Sequence, residues 1–427
     1  MARIWNKPRI AEQGSLRSRH KQINPHTKNF GVGVNTPLKR KVFIALSGGV
    51  DSSVAAFLLK ERGYDVSGVF MRCFNLDGCA EQDAEDARRV ASRLDIPFSV
   101  FDFEAEYKKK VAQYMIDGYG RGITPNPDVM CNKEIKFGLF LKKARVLGAQ
   151  YIATGHYVTR KGSESEGWSL ETAKDSAKDQ SYFLWMLTQG ELRHCLFPIG
   201  AYLKSEVRDI ARRAGLHTAE KKDSQGICFL GKISLRNFLR RRLPLQRGDV
   251  RDVEGRKIGE HDGAWFYTIG QRHGLHLETK QKILLTKERH AVKPHYVAGK
   301  NVKTNTLVVA EGDDHPALYK KEVRLQGVNI INPEIVLPQK TRKAPLALFC
   351  RIRYRGALAK AVLSKAARGY KLVFKKPQKF AAPGQSAVFY SKSRSDSAVQ
   401  ALKSLQARRE ESSDSKRGML LGGGVIC

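Results

Sequence analysis

Two rhythms of apolar and polar positions run along this chain, and the change from one to the other divides it. Val42-Phe-Ile-Ala-Leu46 is apolar throughout, which predicts a strand covered on both faces, and Val54-Ala-Ala-Phe-Leu-Leu59 ahead of Gly63 predicts a helix with a C-terminal stop. The alternation continues with strands over residues 65–71, 97–101 and 150–154. Between and after them come helices over residues 81–94, 133–147 ahead of Gly148, and 205–214, the last capped by Ser205 and stopped by Gly215. Strands alternating with helices imply an α/β domain over residues 41–227, with a parallel sheet that binds ligands at the carboxyl ends of its strands.

Beyond about Cys228 the period shortens. Gly248-Asp-Val, Gly255-Arg-Lys-Ile-Gly259 and Trp265-Phe-Tyr-Thr-Ile-Gly270 are short strand candidates between turns, fitting a small central domain over residues 228–295. From about Tyr296, runs over residues 306–310, 346–349, 371–374 and 386–390 recur at β spacing and predict a C-terminal β-barrel over residues 296–427. A polar stretch rich in Ser, Arg and Glu, residues 391–416, reads as a loose insertion between two of its strands.

The first strand and helix meet at Ser47-Gly48-Gly49-Val50-Asp51-Ser52-Ser53. Two glycines let bare backbone come close, and the N–H groups of the turn and of the first helical turn converge where the helix dipole favours negative charge. An anion belongs there. A Walker-type loop needs Lys after its second glycine; here Val50 and Asp51 follow, so the loop resembles the pyrophosphate loop (PP-loop) of ATP-pyrophosphatases, which release AMP and pyrophosphate.

Composition adds a partner. The formal charge of +34, from 76 Lys+Arg against 42 Asp+Glu, exceeds what solubility needs and points to a polyanion, nucleic acid first. The excess is clustered: residues 335–395 hold fifteen Lys or Arg and no acid, which predicts a basic face on the barrel. No run approaches the roughly 18 apolar residues of a membrane span. Seven cysteines with no CxxC pair indicate neither a zinc site nor a disulfide framework, and reduced thiols in an intracellular compartment are expected. Residues 1–40 carry nine Lys or Arg and one acid, Glu12, without an apolar core; this resembles an organellar transit peptide, with a basic nucleic-acid-binding arm, and then a cytoplasmic location, as the alternative.

Two segments carry candidate chemistry. In Thr124-Pro125-Asn126-Pro127-Asp128-Val-Met-Cys131-Asn132-Lys133, two prolines stiffen the backbone ahead of a helix, and an acid three residues before a cysteine shares a helical face with it. A thiol at a helix N-terminus near Lys133 and Lys136 has reason for a lowered pKa; burial as a small apolar residue is the competing reading. The second thiol, Cys228, stands in Lys221-Lys222-Asp223-Ser-Gln-Gly-Ile-Cys228-Phe-Leu-Gly231, and sequence spacing alone does not pair it with Cys131.

With SGGVDSS, TPNPDVMCNKEIKFG, ATGHY, KDQSYFL, KKDSQGICFLG, YTIGQRHGL, RYR and PGQSAVFY in order, the chain resembles the tRNA-specific 2-thiouridylases of bacteria and organelles over residues 41–390 and 419–426. The resemblance implies a Rossmann-like PP-loop ATPase domain, a small central domain and a β-barrel. It implies that ATP, with Mg2+, adenylates the C2 oxygen of the wobble uridine in tRNAs such as those for Lys, Glu and Gln, after which sulfur replaces oxygen. Carried residue by residue, Ala45, Leu46, Ser47, Gly48, Gly49, Val50, Asp51 and Ser52 hold the phosphates, with Asp51 near the magnesium ion, while Met71 and Gly155 border the nucleotide. Asn126, Pro127 and Asp128 meet the flipped-out base, Asp128 as general acid/base. By the same resemblance Cys228 carries a persulfide received from a sulfur-relay protein or cysteine desulfurase, and Cys131 completes the exchange through a transient Cys131–Cys228 disulfide. His156, the Lys178-Asp179-Gln180 turn, Arg353, Tyr354 and Gln385 match tRNA contacts of the family, and a monomer is expected.

Other PP-loop ligases, of the amidotransferase or lysidine-synthetase type, also form adenylates, but they attack with ammonia or an amine and need no thiol pair. A non-catalytic RNA-binding protein accounts for the charge and leaves SGGVDSS without a purpose.

Overall fold

The computed structural model describes residues 39–73, 78–223, 233–277, 293–333, 345–391 and 418–427. The basic arm up to residue 38, Cys228 with its neighbours, and the polar insertion past Ser391 lie outside these residues.

A parallel sheet runs in the order β3-β2-β1-β4-β7, formed by β1 (Lys41–Ala45), β2 (Asp65–Arg72), β3 (Phe98–Asp102), β4 (Tyr151–Ala153) and β7 (Cys195–Leu196). Both faces of β1 are covered, as its unbroken apolar run requires. Val42 and Ile44 pack with Val54, Ala55 and Leu59 of α1 (Val50–Glu61) and with helices α2 (Cys79–Arg93) and α5 (Lys204–Arg213). Phe43 and Ala45 join Phe101, Phe140 and Ile152 on the other face. That face carries α3, a continuous rod over Glu104–Tyr107, Lys108–Ala112 and Gln113–Gly120, and α4, which runs through Pro127–Met130, a π-type winding Cys131–Phe140, and Leu141–Val146. Strand order turns about β1 and β4, so the crevice beyond their carboxyl ends is the expected ligand position.

Helix starts run ahead of the apolar pattern. α4 begins at Pro127 rather than at residue 133, because the Asn126 side chain already caps the chain there. α1 begins at Val50, a turn before its apolar run, because Gly49 already closes the loop and Asp51 and Ser52 form a polar first turn. α5 begins at Lys204, so Ser205 is not its cap; the Glu206 carboxylate reaches back to accept the Leu203 N–H at 2.6 Å.

The middle sheet runs β10-β9-β8-β12-β11, from β8 (Gly248–Arg251), β9 (Lys257–His261), β10 (His276–Leu277), β11 (His295–Asn301) and β12 (Thr306–Glu311). Residues 296–310, expected in the barrel, belong here: β12 lies parallel to β8 with Leu307 opposite Val250, and Leu307, Val309, Val297 and Val250 are all buried together. The aromatic run from Trp265 is not a strand. Ala264–Phe266 form a 3-10 turn whose Ala264 N–H is taken by Asn305 Oδ1 at 2.9 Å, so the rings fill the core from a bend.

The C-terminal strands β13 (Tyr319–Ile330), β14 (Leu346–Arg351), β15 (Ala359–Lys365), β16 (Tyr370–Lys379), β17 (Ser386–Tyr390) and β18 (Met419–Ile426) run β13-β16-β15-β14-β17-β18 and close through β13–β18 pairing around Leu325, Leu348, Leu363, Leu372, Phe374 and Phe389. β18 has a second neighbour. The hairpin β5 (Val158–Ser163) and β6 (Gly167–Thr172), which follows β4, pairs with it at Met419↔Glu171 and Leu420↔Leu170. The barrel is thereby sewn to the first domain. Among the described residues no helix is long and apolar enough to cross a membrane.

The seam is locked by Asp179, whose side chain is 2% exposed: it accepts the Ala173 N–H (3.2 Å), the Ser181 N–H (3.3 Å) and hydroxyl (2.9 Å), and Arg351 Nη1 of β14 (3.1 Å). Removing one partner of a buried ion pair strands the other, so Asp179→Ala is expected to lower the unfolding free energy by roughly 3–5 kcal/mol in a denaturant titration; a loss below about 1 kcal/mol would show the seam is held by other contacts.

Candidate active site

The sequence-expected cradle forms at the sheet's carboxyl edge. Gly48 adopts φ +70, and a Cβ there would lie 2.4 Å from the Asp83 carbonyl oxygen, so the turn admits glycine alone. Ser52 Oγ accepts the Ser47 N–H at 3.1 Å and donates to the Gly49 carbonyl at 3.1 Å, while Ser53 Oγ donates to the same carbonyl at 2.8 Å. The hydroxyls cinch the loop. Gly49 caps α1 without a side chain, and the first intrahelical bond is from Ser53 to Gly49, which leaves the leading N–H groups of Val50, Asp51 and Ser52 for an anion. Gly155, after β4, presses its backbone on this turn: a Cβ there would stand 2.7 Å from Ser52 N. Leu46 is buried just past the end of β1, and Met71, half-buried, is the last residue but one of β2.

Charged side chains bind the cradle to its surroundings. Asp51 Oδ1 accepts from Tyr157 Oη at 2.8 Å and from Lys204 Nζ at 2.6 Å; Lys204 also reaches Asp223 Oδ1 at 2.8 Å. Asp223 takes Lys178 Nζ at 2.6 Å and Arg208 Nη2 at 3.2 Å as well. Burial raises the Asp223 carboxyl, but the hydrogen bonds and charges of Lys178 and Lys204 outweigh it and bring it to about 2. Burial and the Asp51 charge push the Tyr157 phenol far above its ordinary value, so it stays a donor. Sequence reasoning passed over Tyr157, Lys204 and Asp223; Tyr157 and Asp223 stand inside ATGHY and KKDSQGICFLG, whereas Lys204 has no local signal beyond a helix start.

The acid and thiol of TPNPD…C come together on the first turns of α4. Asn126 Oδ1 caps the helix by accepting the Val129 N–H at 3.2 Å, with Pro127 at its first position. Burial pushes the Asp128 carboxyl above its usual range, opposed by the Lys136 charge. Cys131 is 6% exposed and its N–H is bonded to the Pro127 carbonyl, so it sits past the open N–H groups that the sequence reading credited with lowering its pKa. α4 reaches the cradle through Phe137, whose ring lies 5.8 Å from that of His156, next to Gly155. His156 is buried, shares a 2.8 Å hydrogen bond with Thr154 Oγ1, and is held well below its ordinary pKa by burial and by Lys136. Its neutral ring supplies packing and offers a phosphate no charge. The charge of Lys136, on the same helix as the acid and the thiol, is felt at both Asp128 and His156, so α4 runs beside the residue that follows Gly155.

The residues expected on the RNA side have structural duties. Gln180 Oε1 accepts the Tyr157 N–H at 2.9 Å, and Asp179 is the seam described above, so this turn is not a solvated one. The Arg353 guanidinium donates to the carbonyls of Ile269 in the middle domain (2.5 Å) and Phe380 in the barrel (3.2 Å). Gln385 Nε2 donates to the Thr124 carbonyl at 3.0 Å, and Thr124 N–H donates to Pro383 at 2.7 Å, so the barrel clasps the loop that leads to Asn126. Tyr354 packs 4.5 Å from the Phe183 ring. Beside it opens a cleft of about 380 Å³ lined by Lys178, Asp179, Arg351, Tyr354 and Arg355. Among the described residues no three His, Cys, Asp or Glu side chains gather as a metal cluster. Asp51 and Asp223, bridged by Lys204, are carboxylates at the cradle.

Domain models described as the tRNA methyl transferase HUP domain, the tRNA methyl transferase PRC-barrel domain and the aminomethyltransferase beta-barrel domain match residues 40–232, 236–311 and 322–395. The chain is 45% identical over 358 residues to tRNA-specific 2-thiouridylase MnmA 1 of Geobacillus kaustophilus, covering 82% of this chain and 92% of that protein. It is 42% identical over 361 residues to the MnmA of Pseudomonas aeruginosa, with coverage of 83% and 92%, and 43% identical over 362 residues to that of Listeria monocytogenes, with coverage of 82% and 91%.

Two outcomes follow from this geometry. A carboxyl whose folded pKa is raised binds its proton more tightly in the native state, so stability falls as pH rises from the unfolded value through the folded one. Asp128→Asn removes that loss: the variant is expected to be more stable than the parent at neutral pH, with the gain vanishing as pH falls towards about 4, read by thermal unfolding across pH. Arg353→Ala, by freeing two carbonyls between domains, is expected to lower the melting temperature while changing the salt slope of RNA binding by less than the roughly 0.9 of one lost phosphate contact.

Proposed function

Because the chain belongs to the tRNA-specific 2-thiouridylase family, we propose that it thiolates tRNA, replacing the C2 oxygen of the wobble uridine by sulfur after ATP has activated that oxygen. The observation that supports this reading is a run of contacts: Gly155 lies against the phosphate loop, and its neighbour His156 lies against Phe137 of the helix that carries Asp128 and Cys131. An amine-using ligase needs the first of these and has no use for the thiol.

In the proposed sequence residues 45–52 hold the phosphates of ATP, with the open N–H groups of Val50, Asp51 and Ser52 facing them, and Met71 and Gly155 border the nucleoside. The uridine O2 attacks the α-phosphorus and pyrophosphate leaves, so an oxygen that leaves poorly becomes part of AMP. A magnesium ion near Asp51 would neutralise phosphate charge. Asp128, its carboxyl pushed above the usual carboxylate range by burial, is placed to exchange a proton with the base. Asn126 and Pro127 hold the loop against which the flipped base rests, since the attack requires an enclosed site.

Sulfur arrives as a persulfide on Cys228, loaded by a relay protein or cysteine desulfurase. Either the Cys131 thiolate attacks the Cys228 sulfur and frees hydrogen sulfide to displace AMP, or the persulfide attacks C2 and Cys131 then cleaves its S–S bond. Each route reduces the sulfane sulfur, oxidises the two thiols to a Cys131–Cys228 disulfide, and needs an external thiol reductant to reset it. The substrates proposed are the tRNAs for Lys, Glu and Gln, gripped by the cleft and by the basic barrel, with the protein acting as a monomer. The basic composition of residues 1–40 supports work in a mitochondrial or plastid matrix.

The test is incubation with ATP, magnesium, cysteine, a desulfurase and candidate tRNAs, followed by gels that retard thiolated RNA. Cys131→Ser and Cys228→Ser are each expected to abolish the retarded band while binding tRNA within about twofold of the parent. Thiolation by either variant would remove the thiol pair from the mechanism, and thiolation at another position would overturn the wobble assignment.

A further inference from the structure

The cradle at Ser47–Ser53 has the bare backbone of a phosphate site and no cation of its own, since Val50 stands where a Walker-type loop carries lysine. The fold brings one from a distant element. Lys204, the first residue of α5, extends over the Tyr157 ring, 5.8 Å from its centroid, and ends 2.6 Å from Asp51 Oδ1 in the first turn of α1. Its backbone is fixed as well, the Lys204 N–H donating to Asp175 Oδ2 at 3.0 Å.

We propose that Lys204 is the phosphate-contacting cation of this nucleotide site, turning from Asp51 and Asp223 to the β- and γ-phosphates when ATP binds. The inference rests on the ATP reading given above and names a residue for it. Three observations separate this role from that of a structural ion pair. The ammonium is largely enclosed, with the side chain 12% exposed, whereas the two carboxylates it bridges are 32% and 31% exposed, so the group is open to an incoming ligand on its acidic side. Each carboxylate has another partner: Tyr157 keeps its 2.8 Å bond to Asp51, and Lys178 and Arg208 keep Asp223. Lys204 can therefore leave either one without stranding a buried charge, which a structural bridge could not do. Finally, an ammonium is a compact charge with three rotatable donors, and Asp51 and Asp223 take two of them, so a shift of the Nζ towards a neighbouring phosphate needs only a change of rotamer.

The experiment measures equilibrium binding of ATP, inorganic pyrophosphate and adenosine to the full-length protein and to Lys204→Met, Lys204→Gln and Lys204→Arg, without tRNA, together with each protein's melting temperature. A charge-assisted contact predicts ATP and pyrophosphate affinities lowered roughly 10- to 100-fold in the Met and Gln variants, adenosine affinity within about twofold of the parent, and partial recovery in the Arg variant. Wild-type affinity for ATP in either neutral variant overturns the assignment, and so does an equal loss for all three ligands, which is the mark of a purely structural bridge. A parent protein that binds neither ATP nor pyrophosphate would overturn the nucleotide reading itself, a result distinguishable from failure of the Lys204 assignment.

Discussion

The carboxylate of Asp179, almost wholly enclosed, accepts two backbone N–H groups, a hydroxyl and the Arg351 guanidinium, and through these bonds the turn after β6 is fastened to β14. A charge so placed is tolerable only when all its acceptor positions are filled, which makes the arrangement of both domains around it close to obligatory. Neighbouring contacts repeat the constraint. Tyr182 and Trp185, just beyond the turn, bond to Ser386 of β17 at 2.9 and 3.0 Å, and β6 continues the barrel sheet through β18. With the barrel held, its Gln385 and Pro383 fall on Thr124, and the loop entering α4 takes its shape from a domain more than two hundred residues away in sequence. The barrel thus shapes the entrance to α4 as well as presenting a basic surface.

The two ends of this surface use charge differently. Around the cradle, lysines and carboxylates are interleaved: Asp51, Lys204, Asp223 and Lys178 in one chain of contacts, Lys221 with Asp83 and Asp86 in another at 2.8 and 2.6 Å. Such lattices keep their side chains in place without a ligand and can exchange partners when a phosphate enters. On the barrel, Lys360, Lys365, Arg368, Lys375 and Lys376 are exposed in a stretch with no acid, which suits a diffuse hold on a phosphate backbone that screens with salt. Arg353 shows that membership of this basic stretch does not decide a residue's task, since two of its five donors are spent on Phe380 and Ile269.

Local chemistry was legible where it is dictated by near neighbours in sequence. The apolar run of β1 and the glycine turn follow from sterics within a few residues and appear as expected, whereas the helix expected from residue 133 already starts at Pro127 under the Asn126 cap. What the sequence hid depends on distant partners. β12 carries the same alternating pattern as a barrel strand and is assigned to the middle sheet only by Val250 opposite Leu307. The β5–β6 hairpin, with Trp168, Leu170 and Glu171 among charged and small residues, has no clear period and is stabilised by Met419 and Leu420 at the far end of the chain. His156, Arg353 and Gln385 could be recognised by resemblance, but only their burial and hydrogen bonds reveal that each also supports another element.

The acid-thiol turn illustrates why such support matters. Asp128 and Cys131 lie one turn apart on α4, so their relative position is set by the helix, while the position of that helix is set by the cap at Asn126, the proline at 127 and the clasp on Thr124. Partial burial of the carboxyl raises its proton affinity while part of the side chain stays open to what approaches the loop. The proton that Asp128 holds more tightly is therefore offered at a place fixed by the helix cap, and the barrel's hold on Thr124 fixes that place against the rest of the first domain.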